Sequence, residues 1–314
     1  MLLPQFIREG GAALEALYPP QEARSLILRL CSEVLGTQSY THIVEPSYEI
    51  PEEKLPRLYD AVSRMVQGEP LQYVTGVQEF CGRKFRVAPG VLIPRPETEM
   101  LVAGATQHLR LLLNPLGPPV QGEDLPRCPR GPHTSPVESA TVLDLFTGSG
   151  CIAWSIALDV PGTRVTGVDI SGAALAVARS QTFPDAAGAP GAVEFVLQDV
   201  LEVPDNFAGA PFDVITANPP YIRESEKAAM HRNVLEYEPS LALFVPDEDP
   251  MLFYRAVAHW SIRFLKPGGW GIVEINEELG AETAAVFESA GLVQVKKHLD
   301  LFGKERFVSF EKVV

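Results

Sequence analysis

The chain has 314 residues, of which 46% are hydrophobic and 21% charged, and its formal net charge is −14. This length suffices for two domains, and the composition is that of a soluble globular protein. Because no uncharged apolar run approaches the roughly 18 residues that cross a bilayer, and because a negative field repels phosphate backbones, the composition excludes a membrane protein and disfavours nucleic acid as the main substrate.

The start of the chain and its cysteines predict a protein of the reducing cytoplasm. Residues 1–20 lack the apolar core of a secretory signal, and they mix Arg8 with Glu9 and Glu15, unlike an organelle presequence. The four cysteines are widely spaced without a C-x-x-C pair, which argues against disulfides and zinc. The six histidines show no metal-ligand spacing, so we expect no metal site.

Residues 1–75 predict a small helical domain. In EARSLILRLCSEVLG, Leu26, Leu30 and Val34 form one apolar stripe before Gly36, and EEKLPRLYDAVSRMVQG repeats the pattern up to Gly68. In this second stretch the stripe consists of Leu55, Leu58, Tyr59, Val62 and Met65. Residues 76–96 then become β-rich with interspersed glycines, which favours a β-hairpin linker to a larger domain over residues 97–314.

The segment 114–136 contains seven prolines and three glycines. Proline lacks the amide proton that helices and central strands need, so this segment predicts a surface loop or flexible insertion.

From residue 141 onward, apolar β-rich runs alternate with helical patterns. The runs are TVLDLF, RVTGVD, VEFVL, FDVITA, WGIVEI, LVQVKKH and ERFVSF. Near-continuous apolar strands separated by helices predict a doubly wound, mostly parallel α/β sheet covered on both faces. Such sheets bind ligands beyond the carboxyl ends of their strands.

The first of these strands leads into a glycine-containing turn, Thr147-Gly148-Ser149-Gly150, followed by a helix. Glycines allow the backbone to approach a ligand, although a tight turn without a ligand has the same pattern. Asp169 ends the next strand about twenty residues later, where a carboxylate can accept from ribose hydroxyls or, alternatively, cap a helix. The spacing Gly148-x-Gly150-x-x-Ala153 also fits a dinucleotide site, but no convincing catalytic acid or base follows.

The third strand ends near a further carboxylate, Asp199. This side chain is suited to accept from an adenine amino group while the Val200 amide donates to the ring. The alternative is that Asp199 is only a turn residue.

The fourth strand ends in Asn218-Pro219-Pro220-Tyr221. Proline has no amide proton and a fixed φ, so this turn presents acceptors without donors. The Asn218 side-chain oxygen and the Pro219 carbonyl can each accept one hydrogen from a substrate NH₂ group, and Tyr221 can stack on a planar group. An amide or aromatic amine is a poor nucleophile, so its natural electrophile is the activated methyl of S-adenosylmethionine.

The stretches DLFTGSG, VDIS, QDVLE and NPPYI resemble the successive motifs of class I methyltransferases that act on planar nitrogens. GEPLQYVTGVQEFCGR, VLIPRPETE, EPSLAL and DLFGKERFV are similar to the protein-(glutamine-N(5)) methyltransferases, also called HemK or PrmC, that modify the Gly-Gly-Gln loop of class I peptide chain release factors. The resemblance covers nearly the whole chain. It implies a seven-stranded sheet, S-adenosylmethionine as cofactor, release factors as partners, and neither a membrane nor a stable nucleic-acid partner.

The resemblance also implies roles for individual residues. The residues carried over to the cofactor site are Phe146, Thr147, Gly148, Ser149, Gly150, Asp169, Asp199, Val200 and Asn218. The catalytic residues are Asn218, Pro219 and Tyr221, and the substrate site adds Pro220, Arg95, Thr98 and Glu99. The alternative for the PRPETE stretch is a purely structural ion pair.

One departure concerns Phe146, which occupies a position where the family usually has glycine. We therefore expect its backbone to fit without a positive φ. Two rival functions stay open: a methyltransferase acting on exocyclic amines of nucleic acid, and a nonenzymatic adapter with a vestigial cofactor pocket.

Overall fold

The structure is a computed structural model that describes residues 1–114, 138–184 and 191–314. The chain divides into two compact units, of which the first comprises Met1–Val77, Val87–Pro89 and Met230–Glu238 and the second Gln78–Arg86, Gly90–Ala229 and Pro239–Val314. The predicted domain boundaries at residues 75 and 96 stay a prediction. The predicted insertion 114–136 lies, apart from Asn114, outside the described residues.

The helices in the described part of the chain are α1 (Leu3–Leu14), α2 (Pro20–Leu35), α3 (Thr41–Val44), α4 (Leu55–Val66), α5 (Leu71–Thr75), α6 (Thr98–Leu113), α7 (Cys151–Asp159), α8 (Gly172–Arg179), α9 (Arg232–Tyr237), α10 (Ser240–Leu243), α11 (Leu252–Phe264) and α12 (Gly280–Ser289). Short 3₁₀ helices span Glu52–Lys54 and Glu224–Ala229. The strands are β1 (Val77–Phe80), β2 (Arg83–Arg86), β3 (Ala140–Leu145), β4 (Thr163–Asp169), β5 (Ala192–Leu197), β6 (Phe212–Ala217), β7 (Ile222–Arg223), β8 (Phe244–Val245), β9 (Leu265–Glu274), β10 (Val293–Leu299) and β11 (Glu305–Glu311). No helix within the described ranges is both long and apolar enough to cross a bilayer.

The first unit is helical, as predicted. α2 ends at Gly36, which adopts the left-handed conformation with φ of +74° and closes the helix through its amide. The predicted stripe of α4 is wrong at Tyr59, which is 48% exposed, because the helix buries Leu58, Ala61 and Met65 instead. These three positions repeat at spacings of three and four and therefore share one face.

The second unit contains a seven-stranded sheet in the order β10-β11-β9-β6-β3-β4-β5. The four neighbouring pairs from β9 to β5 are parallel, whereas β11 pairs antiparallel with both β9 and β10. This arrangement confirms the predicted mostly parallel, doubly wound fold.

Side chains of the central strands alternate between two hydrophobic clusters. Ala140 and Val142 of β3 pack in a cluster with α6 and α7, whereas Leu143 and Leu145 pack in a second cluster with α11 and α12. This period of two places one layer of helices on each face of the sheet. The central strands β3 and β6 are therefore buried on both sides, whereas the edge strands β5 and β10 are exposed or half-buried.

The chain reverses direction across the sheet between β3 and β6. From β3 it proceeds outward to β4 and β5, and it then returns to place β6 on the other side of β3. The crevice beyond the carboxyl ends of these two strands is the position where doubly wound sheets bind ligands. The glycine turn and Asn218 follow these two strands directly.

The hairpin of β1 and β2 turns at Cys81 and Gly82, both with positive φ. Phe80 and Phe85 of the hairpin are fully buried in the cluster that contains α6. Gln181 bonds to both backbone groups of Arg86, at 2.9 Å and 3.0 Å. The hairpin strand β2 is thus anchored to the second unit.

Candidate cofactor and substrate site

A cavity of about 380 Å³ lies within the second unit. Predicted site residues that line it are Arg95, Thr98, Phe146, Thr147, Gly148, Ser149, Asp169, Asp199, Val200, Asn218 and Pro220. These residues come from the segment before α6, from the first residue of α6, from the last residue of β4, and from the loops that follow β3, β5 and β6. The fold therefore brings most of the predicted site into one cavity.

The turn after β3 adopts a left-handed conformation at Phe146, with φ of +60°. The prediction that this residue avoids a positive φ is wrong. The conformation costs an L-residue about 1–2 kcal/mol, and the following residue offsets this cost with two bonds. The Thr147 amide donates to the Val168 carbonyl at 2.9 Å, and the Thr147 hydroxyl donates to Asp144 at 2.6 Å.

The Phe146 ring lines the cavity together with Phe253 of α11. The two rings meet edge to face, with centroids 5.6 Å apart. The aromatic pair forms part of the cavity wall at a position where a glycine would leave open space.

The two glycines of the turn have different roles. Gly148 lines the cavity with φ of +54°, and a Cβ there would have no neighbour within 4 Å. Gly150 does not line the cavity, and a Cβ at Gly150 would lie 2.9 Å from the Phe195 ring. Gly148 thus opens backbone toward a ligand, whereas Gly150 permits close packing at the start of α7.

Asp169 connects the ends of β3 and β4. Its carboxylate accepts from the Gly148 amide and from the Ser171 amide, each at 2.8 Å. Burial raises the pKa of this carboxyl, and these amides lower it. The carboxylate is partly exposed and lines the cavity, so it can accept from ligand hydroxyls as well.

Asp199 and Val200 line the cavity beyond β5. The Asp199 carboxylate accepts from the Leu201 amide at 2.9 Å, and the Val200 carbonyl accepts from the Trp260 indole at 2.8 Å. These bonds hold the segment in place at the cavity wall.

Asn218 lies at one end of a hydrogen-bonded chain of four side chains. Its Nδ2 donates to Thr98 Oγ1 at 3.3 Å, and Thr98 Oγ1 donates to Glu274 Oε2 at 2.7 Å. Tyr221 donates its hydroxyl to Glu274 Oε1 at 2.9 Å. Burial raises the pKa of Glu274, whereas the bonds from Thr98 and Tyr221 and the charge of Arg306 lower it.

In addition to Gly150, three residues of the predicted site do not line the cavity: Pro219, Tyr221 and Glu99. Glu99 instead accepts from the Cys81 amide at 3.0 Å and lines a separate groove, so its assignment to the substrate site is not supported by this geometry. The Tyr221 hydroxyl is engaged by Glu274. Pro219 is buried directly after the sheet pairing of β6 ends at Ala217.

Sequence reasoning missed several residues of the site. Glu274 had a recognisable signal, because it is a lone carboxylate inside the apolar run WGIVEI. Phe253 had none, since an aromatic residue on a helix is ordinarily a core residue. The segment Pro239, Leu241 and Ala242 lies in the quoted stretch EPSLAL, but no role had been derived for it.

Asp144 was also missed, although it stands in the quoted motif DLFTGSG. It is fully buried and accepts from Thr147 at 2.6 Å and from Thr216 at 2.7 Å. Burial raises the pKa of this carboxyl to about 7, with a further increase from the charge of Asp169. Asp144 thus joins the turn after β3 to the neighbouring strand β6.

The raised pKa of Asp144 predicts a pH-dependent stability. A carboxyl with a pKa near 7 in the fold and an ordinary value of 3.8 gives a contribution to stability that is fully present below pH 3.8, decreases as pH rises toward 7 and is absent above it. We expect the difference in unfolding free energy between Asp144→Asn and wild type to shift in favour of Asp144→Asn by up to about 3 kcal/mol as pH rises from 5 to 8. Urea titrations measure this difference.

The exposed substitution Asp60→Asn serves as the control, since the Asp60 side chain is 71% exposed. A difference between Asp144→Asn and wild type that stays constant over this pH range would contradict the prediction.

In comparisons with known proteins, the chain matches two family models. Residues 5–76 match the PrmC N-terminal domain, and residues 136–290 match a methyltransferase domain. The release factor glutamine methyltransferase of Bacteroides thetaiotaomicron is 38% identical over 97% of both chains. That of Flavobacterium psychrophilum is 30% identical over 98% of both chains.

Among solved structures, this chain is similar to the release-factor-specific protein-(glutamine-N5) methyltransferase of Alicyclobacillus acidocaldarius. The identity is 28%, the match covers 73% of this chain and 100% of that one, and the TM-score is 0.39.

Proposed function

Since this chain belongs to the release factor glutamine methyltransferase family, we propose that it methylates the side-chain amide nitrogen of the glutamine in the Gly-Gly-Gln motif of class I peptide chain release factors. S-adenosylmethionine is the methyl donor, and the reaction takes place in the cytoplasm. The N-terminal helical domain, residues 1–75, recognises the release factor.

The chemistry of the cavity fits S-adenosylmethionine. Asp169 and Asp199 place two carboxylates at its lining, and the Gly148 backbone is open to it. Carboxylates accept from ribose hydroxyls and from an adenine amino group, and the methyltransferase domain matched over residues 136–290 favours S-adenosylmethionine over a dinucleotide. In our proposal residues 146–149 and Asp169 hold the nucleoside and the methionine arm, and Asp199 and Val200 hold the adenine. When bound, this cofactor supplies an electrophilic methyl group on a sulfonium.

The chain's own contribution at the substrate is to orient a carboxamide. In our proposal the Asn218 side-chain oxygen, which lines the cavity, accepts one N–H of the glutamine amide, and the carbonyl of the next residue, Pro219, accepts the other although Pro219 is not itself among the lining residues. This fixes the amide plane, so that the nitrogen faces the methyl donor. Correct orientation of reactants recovers on the order of 7–11 kcal/mol of a barrier, which suits a nucleophile as weak as an amide.

The observation that carries the proposal is that Asn218 lines the same cavity as Asp169 and Gly148. A substrate acceptor and a nucleoside-binding carboxylate thus share one cavity. An adapter with a vestigial pocket would not need this arrangement, and the net charge of −14 disfavours a nucleic-acid substrate.

A transfer assay tests the proposal. Purified protein, methyl-labelled S-adenosylmethionine and a class I release factor are expected to give one labelled methyl per release factor, located by peptide mass spectrometry on the Gly-Gly-Gln glutamine. A release factor with alanine in place of this glutamine is the control and should stay unlabelled.

Parallel reactions with DNA and ribosomal RNA distinguish the proposed function from the rival one, methylation of exocyclic amines in nucleic acid. Label in nucleic acid without label in the release factor would contradict the proposal. Failure of the protein to bind S-adenosylmethionine in calorimetry would instead favour the adapter.

A further inference from the structure

Thr98 is the central member of the hydrogen-bonded chain that ends at Asn218. It is 2% exposed and begins α6, whereas Asn218 follows β6 and Glu274 ends β9. Three separate elements therefore meet at one hydroxyl. Its partners lie 2.7 Å away at Glu274 Oε2 and 3.3 Å away at Asn218 Nδ2.

The direction of these bonds follows from the number of protons. A threonine hydroxyl has one proton, and here it is donated to the Glu274 carboxylate. Toward Asn218 the hydroxyl oxygen can therefore only accept, and only the NH₂ end of the Asn218 amide can donate to it. The Asn218 side-chain oxygen is then left for the cavity that this residue lines.

Glu274 keeps this direction as long as it is ionised. Its other oxygen accepts from Tyr221, so both oxygens act as acceptors. A protonated Glu274 could donate to Thr98. The threonine proton would then be free for Asn218, and the Asn218 side-chain amide could flip so that its oxygen accepts from Thr98. The charged groups that act on Glu274 are Arg306, which favours the ionised form, and Glu97, which disfavours it.

A buried carboxylate is a costly way to stabilise a core. Glu274 is 1% exposed in a stretch of the chain that is otherwise apolar from Trp270 to Ile275, and well-packed apolar residues often give equal or greater stability at such a position. Its presence beside the site is accounted for by a requirement for an acceptor that does not donate.

We propose that Thr98 and Glu274 are positioning residues that hold the Asn218 amide with its oxygen toward the substrate. This inference rests on the proposed function, because a flipped Asn218 amide would present its NH₂ group to the N–H donors of the substrate glutamine. Thr98 and Glu274 touch neither reactant in this account. They act through Asn218.

Matched substitutions on α6 test this role. Thr98→Val keeps the shape of the side chain and removes both bonds, and Thr98→Ser keeps the hydroxyl. Thr106→Val is the control, because Thr106 lies on the same helix, is 5% exposed, and its hydroxyl has no hydrogen-bond partner among the described residues. We expect Thr98→Val to lower kcat on a release factor about 100-fold, with Thr98→Ser and Thr106→Val within about threefold of wild type.

Two further measurements separate positioning from a general loss of structure. The Kd for S-adenosylmethionine of Thr98→Val should stay close to that of Thr106→Val. The unfolding midpoint of Thr98→Val should be lower, because Glu274 loses a buried donor, so kcat is compared at a temperature at which both variants are folded. In wild type, kcat should fall as pH decreases through the raised pKa of Glu274, and Glu274→Gln should have a lower kcat without this acidic limb.

The possible failures are distinguishable. Thr98→Val with kcat within threefold of wild type, or with kcat and cofactor affinity reduced in parallel, would overturn the positioning role alone. Wild-type protein that transfers no methyl to a release factor would overturn the proposed function, and the positioning role with it.

Discussion

Replacing Asn218 with alanine is expected to lower kcat on a class I release factor by about 100- to 1,000-fold, in the range found when one preorganised polar group is removed from an active site. The substitution removes the side-chain acceptor that orients the glutamine amide. It leaves the glycine turn and Asp169, which in our proposal bind the cofactor, so the Kd for S-adenosylmethionine should change by less than about threefold, or about 0.7 kcal/mol.

Single-turnover kinetics and calorimetry measure the two quantities separately. Asn114→Ala is the control, because Asn114 is an exposed asparagine at the end of α6. Equal losses in turnover and cofactor affinity would contradict the role assigned to Asn218.

Replacing Asp169 with asparagine should have its main effect on cofactor binding. The substitution preserves size but removes the charge and one acceptor oxygen. Hydrogen bonds to a charged group contribute about 1.5–3 kcal/mol, so we expect the Kd for S-adenosylmethionine to rise about 10- to 100-fold. At saturating cofactor, kcat should stay within about fivefold of wild type, since Asn218 and its partners are unchanged.

Asp169 also accepts from the amides of Gly148 and Ser171, so the experiment must separate ligand contact from turn geometry. An S-adenosylmethionine analogue without ribose hydroxyls provides this separation in a double-mutant cycle. We expect Asp169→Asn to weaken binding of the natural cofactor much more than binding of the analogue. Equal weakening would mean that Asp169 acts only through the turn.

Local patterns predicted the elements of the sheet because they depend on neighbouring residues. The apolar runs from TVLDLF to ERFVSF correspond to β3, β4, β5, β6, β9, β10 and β11. Similarly, Gly36 ends α2 because glycine adopts positive φ without a steric cost. Tyr59 was wrongly assigned to the buried stripe because it directly follows the buried Leu58 in the sequence. Only packing decides which of two adjacent helix faces is buried.

The turn after β3 shows where local rules are insufficient. A phenylalanine disfavours positive φ, yet Phe146 adopts +60°. Its neighbour Thr147 is held by Val168 on β4 and by Asp144 within the buried motif. The bond to Val168 exists only after β3 and β4 have paired, so no rule about single residues predicts the outcome.

The sequence by itself determined the alternation of strands and helices, the glycine turn, and the acceptor-rich Asn-Pro-Pro-Tyr corner, since each depends on side-chain chemistry within a few positions. Only the tertiary structure decided which residues share the cavity. Glu99 bonds to the hairpin at Cys81, whereas Thr98, one position earlier, meets Glu274 and Asn218 from segments 176 and 120 residues away. Adjacent residues of a helix point about 100° apart, so the orientation of α6 against the sheet, and not the motif itself, selects the one that reaches the site.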